Sequence, residues 1–124
     1  MSEKITALVT GASRGIGAAI AGQLAEDGFF VVGTATSQMG AEAITEHLAG
    51  RGAGIRLDVA DPDSVASAVG QVNEMGSVPL VLVNNAGITK DNLLMRMSDA
   101  EWSEVIDTNL SGSFRVTKPL LRGM

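Results

Sequence analysis

The segment Thr10-Gly11-Ala12-Ser13-Arg14-Gly15-Ile16-Gly17 constrains the fold more than any other part of the sequence. It lies between two different apolar patterns. Before it, Ile5 to Thr10 is a short, nearly continuous apolar run, as in a strand covered on both faces. After it, Ile16, Ile20 and Leu24 recur at a four-residue step and predict one helical stripe from Ile16 to Glu26. Glycines between a strand and a helix let the backbone turn sharply, and the helix N-terminus offers free N–H groups and a partial positive charge to an anion. The spacing here is G-x-x-x-G-x-G, and its position between strand and helix predicts a nucleotide-phosphate turn. The alternative is a merely tight connection.

The pattern then repeats. Gly28 stops the first helix and Phe29 to Thr34 reads as a second strand. Ala41 to Ala49 predicts a second helix closed by Gly50 and Gly52, and Gly54 to Leu57 a third strand. Asp61 before Pro62 places a capping carboxylate ahead of a proline at the first helical position, opening a third helix that runs to Met75. Pro79 to Val83 is a fourth strand. Ser98 with Glu101 makes a capping box for a long last helix whose apolar face is marked by Trp102, Ile106 and Leu110, with Pro119 placed to kink it. The alternation β-α-β-α-β-α-β-α predicts an α/β fold: a Rossmann-like doubly wound parallel sheet, or its first half, in strand order 3-2-1-4 with flanking helices. Residues 1–124 form a single domain, with no linker or repeat.

Composition excludes several classes. A net charge of −5 without a basic run argues against nucleic acid as a partner. The chain has no cysteine and one histidine, His47, so disulfides and Cys- or His-built metal sites are not expected. No apolar run approaches the ~20 residues that span a bilayer, and no signal-like N-terminus is evident. The expected protein is soluble and cytoplasmic, with no membrane partner.

Cofactor choice is read at the end of the second strand. An acidic residue about 20 positions past the glycines pairs with the ribose 2′-hydroxyl in NAD sites. Here the stretch is Thr34-Ala35-Thr36-Ser37, with no carboxylate before Glu42. A carboxylate repels a 2′-phosphate, whereas the Thr36 hydroxyl can donate to it and Arg14 can add charge, which favours NADPH/NADP over NAD. A turn-forming role for Thr36 and a solvated surface charge for Arg14 are the plainer alternatives. The third strand ends in Asp58-Val59, where a carboxylate could accept from an adenine amino group while valine packs on the ring. A local loop hydrogen bond is the alternative for Asp58.

The fourth strand runs into Asn84-Asn85-Ala86-Gly87. With the TGASRGIG turn, this resembles the short-chain dehydrogenase/reductase family. Ile88-Thr89-Lys90-Asp91-Asn92-Leu93-Leu94-Met95-Arg96-Met97, then Trp102, then Asp107-Thr108-Asn109-Leu110, narrows the likeness to the family's bacterial reductases of 3-oxoacyl groups on acyl carrier protein. The resemblance extends from Lys4 to Met124. It implies that Gly11, Ser13, Arg14, Ile16 and Gly17 hold the cofactor phosphates, Thr36, Asp58 and Val59 the adenosine end, and Asn85, Ala86 and Gly87 the ribose. It also implies that Asn109 is the family asparagine, whose backbone carbonyl holds a water in a proton relay. From the residues alone, an asparagine inside a helix is unexpected, because it competes for backbone hydrogen bonds. Arg96, Arg115, Lys118 and Arg122 are the basic residues available to an acidic carrier protein, while Met95, Met97 and Trp102 read as packing residues.

The same family uses a Ser to polarise the ketone and a Tyr-x-x-x-Lys pair to donate the proton. This sequence contains no tyrosine, and Ser111 and Ser113 come too early for the family serine. The expectation is therefore the N-terminal, cofactor-binding half of an oligomeric reductase, a homotetramer by resemblance, with Pro79–Val83 at an open sheet edge. Two other readings stay open: a non-catalytic dinucleotide-binding module, and a related reductase acting on acetoacetyl-CoA or other ketones.

Overall fold

The computed structural model describes residues 4–75, 79–87, 94–121 and 123–124. Four parallel strands form one sheet in the order β3-β2-β1-β4, as the alternating pattern predicts. They are β1 (Thr6–Val9), β2 (Phe30–Ala35), β3 (Gly52–Arg56) and β4 (Val81–Val83). β1 lies at the centre: Val9 faces Gly33 of β2 on one side and Val83 of β4 on the other. The carboxyl ends of the strands thus reach one crest, where β1 and β2 give way to their helices.

The first two helices, α1 (Gly15–Glu26) and α2 (Gln38–Leu48), bury Ala21, Ala25, Ile44 and Leu48 against Val9, Val31 and Ala35 on one face of the sheet. On the other face, α3 (Pro62–Glu74) and the final helix cover Leu8, Val32, Ile55 and Leu57 with Val65, Ala68, Val72, Val116 and Leu120. Covering both faces is what makes the strand sequences read as continuous apolar runs.

Three local expectations change. First, the buried face of α1 is Gly17, Ala21 and Ala25, while Ile16 is 73% exposed and Ile20 and Leu24 only half-buried. The glycine turn sets this helix down so close to the sheet that only small residues fit beneath it. Second, α2 starts at Gln38 rather than Ala41, because the Ser37 side chain accepts from the Gly40 N–H at 3.0 Å and caps it. β3 correspondingly begins at Gly52, where a Cβ would stand 1.9 Å from the Val31 carbonyl oxygen: the glycine belongs to the strand because only a bare backbone fits.

Third, the long last helix is not uniform. It runs as α4 (Asp99–Ile106), a five-residue π turn (Asp107–Ser111) and α5 (Gly112–Leu121). The Ser98 cap is as expected, accepting from the Glu101 N–H at 3.1 Å. The wider turn re-phases the rod, so its buried face becomes Gly112, Val116 and Leu120. Trp102 and Leu110 are 57% and 67% exposed, so they are not the core stripe that an unbroken period suggests. Pro119 sits within α5, near its end. No helix of the described residues is long and apolar enough to cross a membrane.

Candidate functional site

A cleft of about 610 Å³ opens at the crest. Gly11, Ser13, Arg14, Thr36, Asp58, Val59, Asn85, Ala86 and Gly87 all border it. Nine of the residues expected at a cofactor site, drawn from four segments of the chain, are thereby brought together. Ile16 and Gly17 do not border the cleft: Gly17 is buried beneath the turn, and only the backbone of Ile16 can contribute.

The turn is held from both flanking strands. The Gly11 N–H donates to Thr34 Oγ1 at 3.2 Å and the Ala12 N–H to the Thr34 carbonyl at 2.8 Å. On the other side, Asn85 Nδ2 donates to the Gly11 carbonyl at 3.0 Å. Thr10, 1% exposed, accepts at Oγ1 from the N–H groups of Asn85 and Ala86, both at 3.0 Å. The Asn85 amide is therefore a latch on the glycine turn.

The α1 N-terminus differs from those of α2, α3 and α4. Ser37, Asp61 and Ser98 cap the other three with side-chain oxygens, whereas Arg14 at the α1 N-cap makes no side-chain cap bond. The first N–H groups of a helix have no partner within the helix itself. Gly15 adopts φ +61, with nothing within 4 Å of where its Cβ would stand. Backbone donors, a helix dipole and an adjacent arginine suit the phosphates of a dinucleotide.

Beyond the end of β2, Thr36 is exposed on the rim. Asp58 makes the local loop bond, accepting from the Ala60 N–H at 3.0 Å through Oδ1, which leaves Oδ2 for a ligand. Val59 is 5% exposed, and a Cβ on Gly112 would lie 2.7 Å from its Cγ2, so the last helical rod seats directly on this residue. Asn109 occupies the middle of the π turn. Its side-chain oxygen lies beside Gly87, 2.9 Å from where a Cβ would be, and its carbonyl accepts from the Ser113 hydroxyl at 3.0 Å. Asn109 itself does not border the cleft, but its neighbours Asp107 and Thr108 do.

Three features escaped sequence reasoning: the Thr10 latch, the cleft positions of Glu104, Asp107 and Thr108, and the role of Arg115. Arg115 is one of the four basic residues available to an acidic carrier protein. In the structure its guanidinium donates to the Val59 carbonyl at 3.2 Å, to the Asp107 carbonyl at 3.3 Å and to the Asp107 carboxylate. It is turned inward because it ties the π turn to the loop after β3. With side chains 25% and 45% exposed, the Arg115–Asp107 pair is partly screened. Arg115→Met is expected to cost about 1–2 kcal/mol of stability, measured as a lowered denaturation midpoint, chiefly through the acceptors it abandons. A midpoint unchanged by the substitution would contradict the tie. Of the other basic residues, Lys118 is exposed over the Phe114 ring at 5.6 Å and Arg96 is exposed, while Arg122 lies outside the described residues, as do residues 88–93.

Comparison with known proteins agrees with this fold. Residues 5–124 match the family model described as short chain dehydrogenase. The 3-oxoacyl-[acyl-carrier-protein] reductase FabG of Escherichia coli K12 is 56% identical over 119 residues, which is 95% of this chain and 48% of that protein. The Pseudomonas aeruginosa protein of the same name is 54% identical over 121 residues, and that of Haemophilus influenzae 51% over 119. The chain spans about half the length of the curated relatives it matches. A glycine turn under an uncapped helix, a 3-2-1-4 parallel sheet and a family match over nearly every residue lead to one conclusion: the chain belongs to the short-chain dehydrogenase family.

Proposed function

We propose that this chain is the cofactor-binding part of an NADPH-dependent reductase that converts 3-oxoacyl groups on acyl carrier protein to 3-hydroxyacyl groups, as in fatty-acid biosynthesis. The observation that carries this reading is the uncapped α1 N-terminus, with Arg14 at its start, opening into a cleft whose β2 rim holds Thr36 and no carboxylate. The cleft's chemistry fits the cofactor: first-turn N–H groups for the pyrophosphate, Asp58 Oδ2 and Val59 for the adenine, and Asn85, Ala86 and Gly87 for the ribose. The names of the relatives support the substrate.

The bound nicotinamide supplies the hydride. This chain's residues bind and orient it: the α1 N-terminus fixes the phosphates, and the β3 end fixes the adenine. In this reading the Asn109 carbonyl, which accepts from the Ser113 hydroxyl, is the group that holds a water for passage of the proton. The tyrosine that donates this proton in the family is not a residue of the chain, which has none. The same reading makes the protein a cytoplasmic homo-oligomer. The exposed Trp102, Leu110 and Phe114 of the last rod support a covered surface there.

The test is NADPH oxidation by the intact protein with acetoacetyl-acyl carrier protein and, separately, acetoacetyl-coenzyme A. Faster turnover of the carrier-protein thioester is expected. Turnover of the coenzyme A thioester alone assigns a related reductase, and turnover of neither assigns a binding module; both results overturn the reading.

A further inference from the structure

The rim beside Thr36 is poorer in donors than its sequence suggests. Of the three hydroxyls at the end of β2, Thr34 is 1% exposed and accepts from the Gly11 N–H below the turn. The Ser37 oxygen caps α2. Only the Thr36 hydroxyl stays on the rim. Arg14, on the far side of the turn, is the one cation bordering the cleft among the described residues.

A second arginine approaches from the neighbouring strand. Arg56 ends β3, paired in register with Ala35, and its side chain is exposed. It crosses to the turn after β2, where Nε donates to the Thr36 carbonyl at 3.2 Å. That bond uses the inner N–H of the guanidinium and fixes its plane. The terminal nitrogens have no hydrogen-bond or ion-pair partner among the described residues. Carboxylates stand nearby: Asp58, Asp61 and Asp63 share a groove with Arg56. None forms an ion pair with it: Asp61 accepts from the Asp63 N–H and Asp58 from the Ala60 N–H.

We propose that Arg56 is a specificity-determining residue of the cofactor site, which closes on the 2′-phosphate from the β3 side opposite Arg14, with Thr36 between them. The proposal rests on the NADPH reading above. A guanidinium anchored through Nε keeps its outer edge for the two-point recognition that phosphate oxygens accept, and a lysine cannot satisfy both the carbonyl and the phosphate. Arg56 therefore acts on NADPH and leaves NADH, which carries a hydroxyl at that place, unaffected.

The experiment is cofactor binding, followed by nicotinamide fluorescence on the intact protein, for wild type, Arg56→Gln and Arg56→Lys. Thermal melts confirm that each variant is folded, as its exposed position predicts. Arg56→Gln is expected to weaken NADPH about tenfold while NADH stays within about twofold. Arg56→Lys is expected to recover part of the lost preference. Adenosine 2′-monophosphate should lose affinity in parallel with NADPH, and the 5′-monophosphate should not. Equal weakening of both cofactors makes Arg56 a brace for the Thr36 turn and overturns the proposal. A preference unchanged by Arg56→Gln, or Arg56→Lys no better than Arg56→Gln, also overturns it while the NADPH reading stands. A wild type that does not prefer NADPH overturns both.

Discussion

Gly17→Ala is expected to destabilise the protein by about 3 kcal/mol or more and to abolish dinucleotide binding. At Gly17 a Cβ would stand 2.0 Å from the Gly11 carbonyl oxygen and 2.5 Å from Asn85 Nδ2. Neither neighbour can yield cheaply. The first is backbone in the phosphate turn, and the second is the amide that latches the turn to the end of β4. Moving either separates α1 from the crest, so stability and binding fall together. For a chain of this size such a loss corresponds to a drop of roughly 10 °C in Tm. Gly15→Ala is the internal control, since its surroundings are open and only the left-handed φ of +61 is penalised. About 1 kcal/mol is expected there. Thermal melts and NADPH titrations of the two variants decide the matter. Equal effects would show that close approach under the helix is not what the second half of the glycine pattern provides.

Thr36→Asp is expected to reverse cofactor preference. The position is exposed on the cleft rim, where NAD sites of this architecture place their acid. A carboxylate there meets the charge of a 2′-phosphate across a few ångströms of partly screened space. The repulsion is about 2–3 kcal/mol, roughly a hundredfold in NADPH affinity. NADH loses nothing and gains a hydrogen-bond acceptor for its 2′-hydroxyl, so its affinity is expected to hold or rise. The ratio of the two dissociation constants is the observable, because it is insensitive to modest changes in folding. A ratio shifted by less than about threefold would place the adenosine ribose elsewhere.

Strand order and the position of the cleft were legible because they depend on local chemistry repeated along the chain. The strands read as short apolar runs, and the starts of α3 and α4 carry their own signals, Asp61-Pro62 and Ser98-x-x-Glu101, which act within four residues. Nine of the expected cofactor residues meet at the cleft because they stand in the turns after the four strands, which a parallel sheet brings to one end. The misreadings have a common cause. Ile16, Ile20 and Leu24 form the most apolar stripe of α1, yet Ile16 is exposed, Ile20 and Leu24 pack only at the margin of the core, and the helix turns Gly17, Ala21 and Ala25 fully inward. Helical periodicity measures hydrophobicity and not the distance to the neighbouring layer.

The π turn was invisible for a related reason: one residue of extra width leaves no mark on composition, though Asn109, the residue of low helix propensity, pointed to its site. Thr10 and Arg115 were beyond reach altogether. Thr10 meets Asn85 across 75 residues of chain, and Arg115 meets Val59 across 56. Such contacts exist only once the sheet and its covering helices have assembled.

The crest cleft is proposed to take a phosphorylated adenine dinucleotide. Calorimetric titration of the intact protein with NADPH and NADH tests it most directly. One-site binding is expected, with NADPH clearly tighter and its advantage shrinking as salt rises, because the 2′-phosphate is read by charge at an exposed rim. Equal affinity for the two cofactors, or no binding of either, would contradict it.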